Sequence, residues 1–309
     1  MPYEFPIYSP EERIIHSALR NQGVELFIKR DDKIHPFISG NKWRKLKYTL
    51  ADAQSKGFKQ LVTFGGAWSN HLLATAAAAA QFGFQAHAFV RGESVDNPVL
   101  GMCQLFGMSL TFVNRTAYKD KVQLFNAYYS SENAYFIDEG GKSALGLAGC
   151  AELITELEQR YDYIAVAAGT GTTTAGIKLG IEQQMLPCIL QSFPVLKLGD
   201  TLQSEFEHWG LSSSQFEIHA DYHGKGYAKV HEPLIQFIQN FTQETGIMIE
   251  PTYTGKLFYG VFDLIQKGYY PAGSKILLIH TGGLTGLLGH LKHFKQNNNP
   301  IIPVNKEDK

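Results

Sequence analysis

The stretch QLVTFGGAWSNHLLATAAAAAQF, residues 60–82, decides the fold class. Its first five residues read as a buried strand, and Gly65 and Gly66 make a tight turn. Ser69 and Asn70 can cap a helix, and the Ala-rich run that follows predicts that helix over Asn70–Phe82. A strand handed directly to a helix has to return over the sheet before the next strand begins, which makes neighbouring strands parallel. The same alternation recurs with AHAFV before a helix at 98–106 and SLTFV before one at 118–128. A second series follows, with YIAVAAG before 173–184, PCILQSF before 201–209 and KILLIH before 286–294. Two such series predict an α/β protein with two lobes.

Composition narrows the function. With 309 residues, 44% of them apolar, and a formal charge of -1, the chain can bury two cores and has no excess of cations for nucleic acid or an anionic membrane. The opening MPYEFPIYSPEER is acidic and broken by proline where a signal peptide needs a basic start and an apolar run. No later stretch reaches the roughly eighteen uncharged apolar residues of a membrane span, and a cytoplasmic protein is expected. Cys103, Cys150 and Cys188 lack CxxC or zinc-like spacing and cannot all pair, so they read as buried thiols in a reduced compartment.

Four Gly-rich turns stand where strands should end. One is the turn at 65–70. The second, VAAGTGTTTAGI at 166–177, puts Gly169 and Gly171 where backbone amides can approach a ligand, and adds the hydroxyls of Thr170, Thr172 and Thr173 at a helix start. That combination is an anion cradle, and phosphate is its natural guest. Gly169, Gly171 and Gly176 do not have the GxGxxG spacing of a dinucleotide site, and no Walker A lysine follows. The others are DEGGKSALG at 138–146 and IHTGGLTG at 279–286. Each alone can be a plain strand-to-helix turn. Ligands in open α/β sheets bind beyond the carboxyl ends of the strands, so together the four can face one crevice.

SGNKWRKLKY, residues 39–48, adds the reactive group. Asn41 reads as an N-cap, and Trp43, Leu46 and Leu50 fall on one side of a helix beginning near Lys42. Lys42, Arg44, Lys45 and Lys47 crowd positive charge into its first turns, where the helix dipole disfavours cations. A solvated helix face would account for the charge run but not for its position. A lysine at a helix start among other cations has a lowered pKa and more free amine at neutral pH, which is what a Schiff-base lysine needs.

These motifs resemble the 1-aminocyclopropane-1-carboxylate deaminase and D-cysteine desulfhydrase family, pyridoxal-phosphate enzymes of the tryptophan-synthase-β fold type. KRDDKIHPFISGNKWRKLKY, TFGGAWSNHLLATAAAAAQFG, EGGKSALGLAGCAEL, GTGTTTAG, YTGK and IHTGG occur in the family's order over nearly the whole chain. The resemblance implies a smaller α/β domain at 48–148 and a larger cofactor-binding domain formed by 1–47 and 149–309. It implies that Lys42 anchors pyridoxal 5'-phosphate and shuttles the Cα proton, that Asn70 bonds the cofactor's 3-oxygen, and that Ser69 meets the substrate carboxylate. Thr170, Gly171, Thr172 and Thr173 would hold the phosphate. Tyr253 and Tyr227 would stand near the ring and substrate, and Thr281 would face the pyridine nitrogen. A homodimer acting on a small amino acid is implied as well.

Ring-opening members carry Glu directly after the tyrosine and Leu before the paired glycines, where this chain has Thr254 and Thr281. That difference points to D-cysteine desulfhydrase, with 1-aminocyclopropane-1-carboxylate deaminase or another amino-acid deaminase as the alternative. A non-catalytic protein that binds the cofactor is the alternative of a different class. Lys142, Ser143 and Ala228 depart from the family pattern, and residues 181–200 look short. A nicotinamide oxidoreductase lacks its fingerprint here, His219 and His223 in HADYH lack a carboxylate cluster of zinc-site spacing, and no GxSxG elbow is present. Trp43 and Trp68 read as core or interface aromatics beside the site, Arg30 and Asp31 as a surface pair, and His71 as a capped-turn histidine or a group on the substrate side.

Overall fold

The computed structural model describes residues 6–196, 201–212, 214–224, 226 and 229–294, with side chains for all of these except 201–203. In chain order the strands are β1 (Glu11–Arg13), β2 (Glu25–Lys29), β3 (Gln60–Gly66), β4 (Gln85–Arg91), β5 (Ser109–Val113), β6 (Tyr135–Ile137), β7 (Tyr163–Ala168), β8 (Ile189–Pro194), β9 (Phe216–Ile218) and β10 (Lys275–Ile279). The α-helices are α1 (Asn41–Ser55), α2 (Asn70–Phe82), α3 (Pro98–Leu105), α4 (Lys121–Tyr128), α5 (Ala144–Thr155), α6 (Thr172–Gln183), α7 (Thr201–His208), α8 (Glu232–Thr245) and α9 (Thr254–Gln266).

Two sheets result. One has six strands in the order β1-β2-β10-β7-β8-β9, and the other has four in the order β5-β4-β3-β6. Every pairing is parallel except that of β1 with β2. The central strands are buried on both faces, and the period of two sorts their side chains. In β7, Ala165 and Ala167 pack toward α8 and α9, while Ile164 and Val166 pack toward α5 and α6. In β10, Ile276 and Leu278 take the first side, and Leu277 and Ile279 the second. The smaller sheet does the same: Leu61, Ala88 and Val90 meet α1, α2 and α3, and Val62, Phe64 and Phe89 meet Phe125 of α4.

Local chemistry explains most boundaries. The Ser69 hydroxyl accepts from the His71 and Leu72 amides at 3.2 and 3.4 Å, and Gly83 closes α2 in the left-handed region, so this helix has the span expected from the sequence. The helix expected at 118–128 starts at Lys121 instead, because the Asp120 carboxylate accepts from the Gln123 amide at 2.8 Å and a separate 3-10 turn occupies Ala117–Lys119. The α-helix expected at 286–294 does not form. Two 3-10 turns, Leu284–Gly289 and Leu291–Phe294, take its place. Gly286 and Gly289 each cost a helix roughly 1 kcal/mol relative to alanine.

Candidate active site

The carboxyl ends of the parallel strands of both sheets open onto one cavity of about 1420 Å³. Its wall includes Gly66 at the end of β3, Arg91 at the end of β4, Ala168 at the end of β7, Leu196 after β8 and Thr281 after β10. Lys42, Ser69, Asn70, Thr170, Gly171, Thr173, Tyr253 and Thr281 all line it. Thr172 does not. The residue is fully buried at the start of α6. Tyr227 and Ala228 lie outside the described residues.

The Gly-rich turns meet by direct backbone contact. The N-cap of α1 is Gly40, with φ 57°, and a Cβ there would come within 2.0 Å of the Thr281 carbonyl oxygen, so no other residue fits. Asn41 was expected to cap the helix; it is instead the first helical residue. Its side-chain amide donates to Thr173 Oγ1 at 2.9 Å and its oxygen accepts from Lys42 Nζ at 2.9 Å. Asn41 therefore joins the amine to the cradle. On the far side Thr285 Oγ1 donates to Asn70 Oδ1 at 3.1 Å, tying the loop after β10 to the start of α2.

α6 begins directly after Gly171, which has φ 87° and brings no capping side chain. Its first-turn amides therefore have no side-chain acceptor, and with the hydroxyls of Thr170 and Thr173 and the positive end of the helix dipole they present a seat for a dianion. Gly140 packs on Thr170, and its carbonyl accepts from Lys45 Nζ at 3.0 Å, placing a second buried amine beside the seat. Burial and the Lys45 charge push the Lys42 amine down to about 7, against the opposing pull of Cys150 and Glu250. Much of it is free amine at neutral pH. The other two cations of the run face away from this chemistry: Arg44 is clasped by Asp31 at 2.6 and 2.7 Å and by Glu156 at 2.8 Å, and Lys47 pairs with Glu152 at 2.6 Å.

Tyr253 caps α9, and its ring packs on Gly169. Behind it lies Glu250, which the sequence reading missed. Its carboxylate is fully buried and accepts the amides of Thr252, Tyr253 and Thr254 at 2.7, 2.6 and 2.9 Å. Burial raises its pKa, and those amide bonds hold it down. The available signal was an acid four residues ahead of a helix start.

Trp43 and His71 stand where the sequence suggested, and the Arg30–Asp31 pair does not form. Trp43 is 1% exposed and stacks on Phe82 in the core, whereas Trp68 is 41% exposed on the cavity rim. Arg30 pairs with Glu12 and Asp32, not with Asp31, which is buried under Arg44. His71 lines the cavity. Thr63 donates its hydroxyl proton to the Ile137 carbonyl at 3.0 Å, so His71 Nε2 donates to Thr63 Oγ1 at 2.8 Å. Burial, with Lys42 and Lys45 close by, holds the His71 imidazole well below its ordinary pKa.

A partly deprotonated lysine joined through Asn41 to a dianion seat, with a tyrosine ring and an asparagine amide between, fits pyridoxal phosphate in both donor chemistry and charge. The chain belongs to the family of pyridoxal-phosphate dependent enzymes, which it matches over residues 15–282. Among its relatives is the mitochondrial bifunctional D-cysteine desulfhydrase/1-aminocyclopropane-1-carboxylate deaminase of Arabidopsis thaliana. The two are 32% identical over 86% of this chain and 74% of that protein. The D-cysteine desulfhydrase of Klebsiella pneumoniae subsp. pneumoniae is 29% identical over 88% of this chain and 90% of its own length. A crystal structure described as that of an ACC deaminase homologue superposes with TM-score 0.78 at 30% identity, covering 93% of each chain. Among the described residues no helix is long and apolar enough to cross a membrane.

Proposed function

We propose that this protein is a D-cysteine desulfhydrase that converts D-cysteine and water to hydrogen sulfide, pyruvate and ammonia. The observation that carries the reading is Lys42, a half-buried lysine on the cavity wall with its pKa near neutrality, linked through Asn41 to the anion seat of Thr170, Gly171 and Thr173. Bound pyridoxal phosphate supplies the electron sink for the pair left on Cα when its proton is removed. Lys42 holds the cofactor and takes that proton. The Ser69 hydroxyl spends its lone pairs on the His71 and Leu72 amides, so its own proton is directed to the substrate carboxylate. Asn70, fixed by Thr285, would meet the cofactor's 3-oxygen. Thr281, on the cavity wall, would offer the ring nitrogen a hydroxyl in place of a carboxylate, a partner that would not enforce a charged ring.

Thr254 favours this branch over ring opening. Its hydroxyl accepts from the Glu250 amide at 2.9 Å, and the residue is fully buried off the cavity wall, so no acid follows Tyr253 at that point. The relatives' names support both activities, and the bifunctional plant relative makes 1-aminocyclopropane-1-carboxylate the first competing substrate to try. A homodimer is part of the proposal and is checked by light scattering.

Sulfide release from D-cysteine by cofactor-loaded protein, with Lys42→Ala in parallel, tests the reading. Release by the wild type and none by the variant supports it. If the wild type releases no sulfide yet still deaminates another amino acid, the cofactor assignment stands and the desulfhydrase assignment falls. If it binds cofactor and turns over nothing, the non-catalytic reading replaces both.

A further inference from the structure

One turn beyond Tyr253, α9 carries a lysine that is 2% exposed, Lys256. An ammonium group has three N–H donors, and three backbone carbonyls from outside α9 converge on this one: Gly226 at 2.8 Å, His223 at 2.9 Å and Val195 at 3.4 Å. Its charge is met by carbonyl dipoles. The acid whose field it feels is Glu250, which partly offsets the burial that pushes the amine down to about 8, so Lys256 is charged at neutral pH.

Carbonyl oxygens aimed at one point repel each other unless a cation stands between them, and rings of such oxygens are how proteins hold bare cations. The segments gathered here matter for the cavity. Val195 leaves β8 immediately before Leu196, which lines the wall. His223 and Gly226 belong to the loop between β9 and α8. Lys256 sits in the first turn of α9, directly behind Tyr253.

We propose that Lys256 is a positioning residue, an internal cation that binds the exit of β8 and the loop of His223 and Gly226 to the first turn of α9, and that the seat it vacates on truncation accepts an ammonium ion. The proposal goes beyond the desulfhydrase reading and does not depend on which substrate the cavity takes. A side chain that merely filled space would be replaced by any apolar chain of equal length. A cation seat would not.

The test uses the cofactor-loaded wild type, Lys256→Ala and Lys256→Met in equal concentrations of ammonium chloride and sodium chloride. Two quantities are read: the rate of proteolytic cleavage within residues 219–230, by mass spectrometry, and the split of turnover into kcat and KM. The expected result is cleavage about tenfold faster than wild type for both variants in sodium, reflecting local opening of a loop whose anchor is gone. Ammonium should slow cleavage of the alanine variant and restore part of its kcat, while the methionine variant, its seat filled, responds to neither salt. Wild-type cleavage rates in the variants, or an alanine variant indifferent to the cation, overturn the proposal. If the alanine variant does not accumulate folded, its refolding yield in the two salts reads the same question. Recovery that depends on ammonium supports the seat, and recovery that ignores it refutes it.

Discussion

Helix α1 carries the same kind of charge on two faces and uses it in two ways. Lys42 and Lys45, three residues apart, point into the cavity with a side-chain amide oxygen and a backbone carbonyl as hydrogen-bond acceptors. Arg44 and Lys47, also three apart, point the other way and end on carboxylates. Among the described residues the first pair makes no ion pair, and burial holds both amines below the ordinary lysine pKa. The second pair is neutralised, which fastens the helix to the turn after β2 and to the C-terminal part of α5. The lesson is that the surroundings of a cation, more than its type or its place in the chain, decide whether it serves chemistry or cohesion.

The largest effect belongs to the cavity face. Lys42→Ala should lower turnover by at least about 10⁴-fold, a barrier increase of roughly 5 kcal/mol, in steady-state assays. The same amine costs stability. Its pKa in the folded chain lies below the unfolded value, so the penalty is present in full below about pH 7 and is relieved as pH rises toward the ordinary lysine range. Cofactor-free Lys42→Met should therefore melt higher than wild type at pH 6, with the gap closing by pH 10, as read by calorimetry. An inactive variant that melts lower at pH 6 would break the contrast between the faces.

Next comes the structural face. Arg44→Met leaves Asp31 buried without its partner and should cost about 3–5 kcal/mol in denaturant titrations, an effect on stability first and on turnover only through unfolding. Lys45→Met is smaller and sharpens the comparison. Removing its charge lets the Lys42 pKa rise, so in the cofactor-free protein the pH dependence of Lys42 reactivity toward an amine-labelling reagent, read by mass spectrometry, should move to higher pH. The smallest effect is that of Lys47→Ala. Its pair with Glu152 is part-exposed, and its loss should change stability by less than about 1 kcal/mol. Equal losses from Arg44→Met and Lys47→Ala would mean that burial does not separate these two pairs.

Much of this was legible in one dimension. The strand, turn and helix of residues 60–82 carry their own punctuation, so α2 follows from Ser69, the alanines and Gly83, and the gathering of Gly-rich turns follows from the parallel topology. What escaped depends on partners far along the chain. Asp31 lies 13 residues and Glu156 112 residues from Arg44, and nothing local announces that they will meet around it. Asn41 has the composition of a cap, but Thr173, 132 residues away, takes its amide. Thr172 shares a hydroxyl with its neighbours, and only the helix rotation turns it inward. The cation run was legible as an anomaly. Its resolution required the acids.

The strand order carries a last consequence. Lys42, Thr281 and the Thr170 turn follow β2, β10 and β7, which are adjacent in the six-stranded sheet, whereas Ser69 and Asn70 follow β3 in the other sheet. On the proposed reading, the groups that span the cofactor from amine to phosphate share one chassis, and those that meet the substrate carboxylate and the cofactor's 3-oxygen are bolted to another. Such a division makes the protein evolvable: loops of the four-stranded sheet can be rewritten to admit a new substrate while the spacing that captures the cofactor is inherited intact.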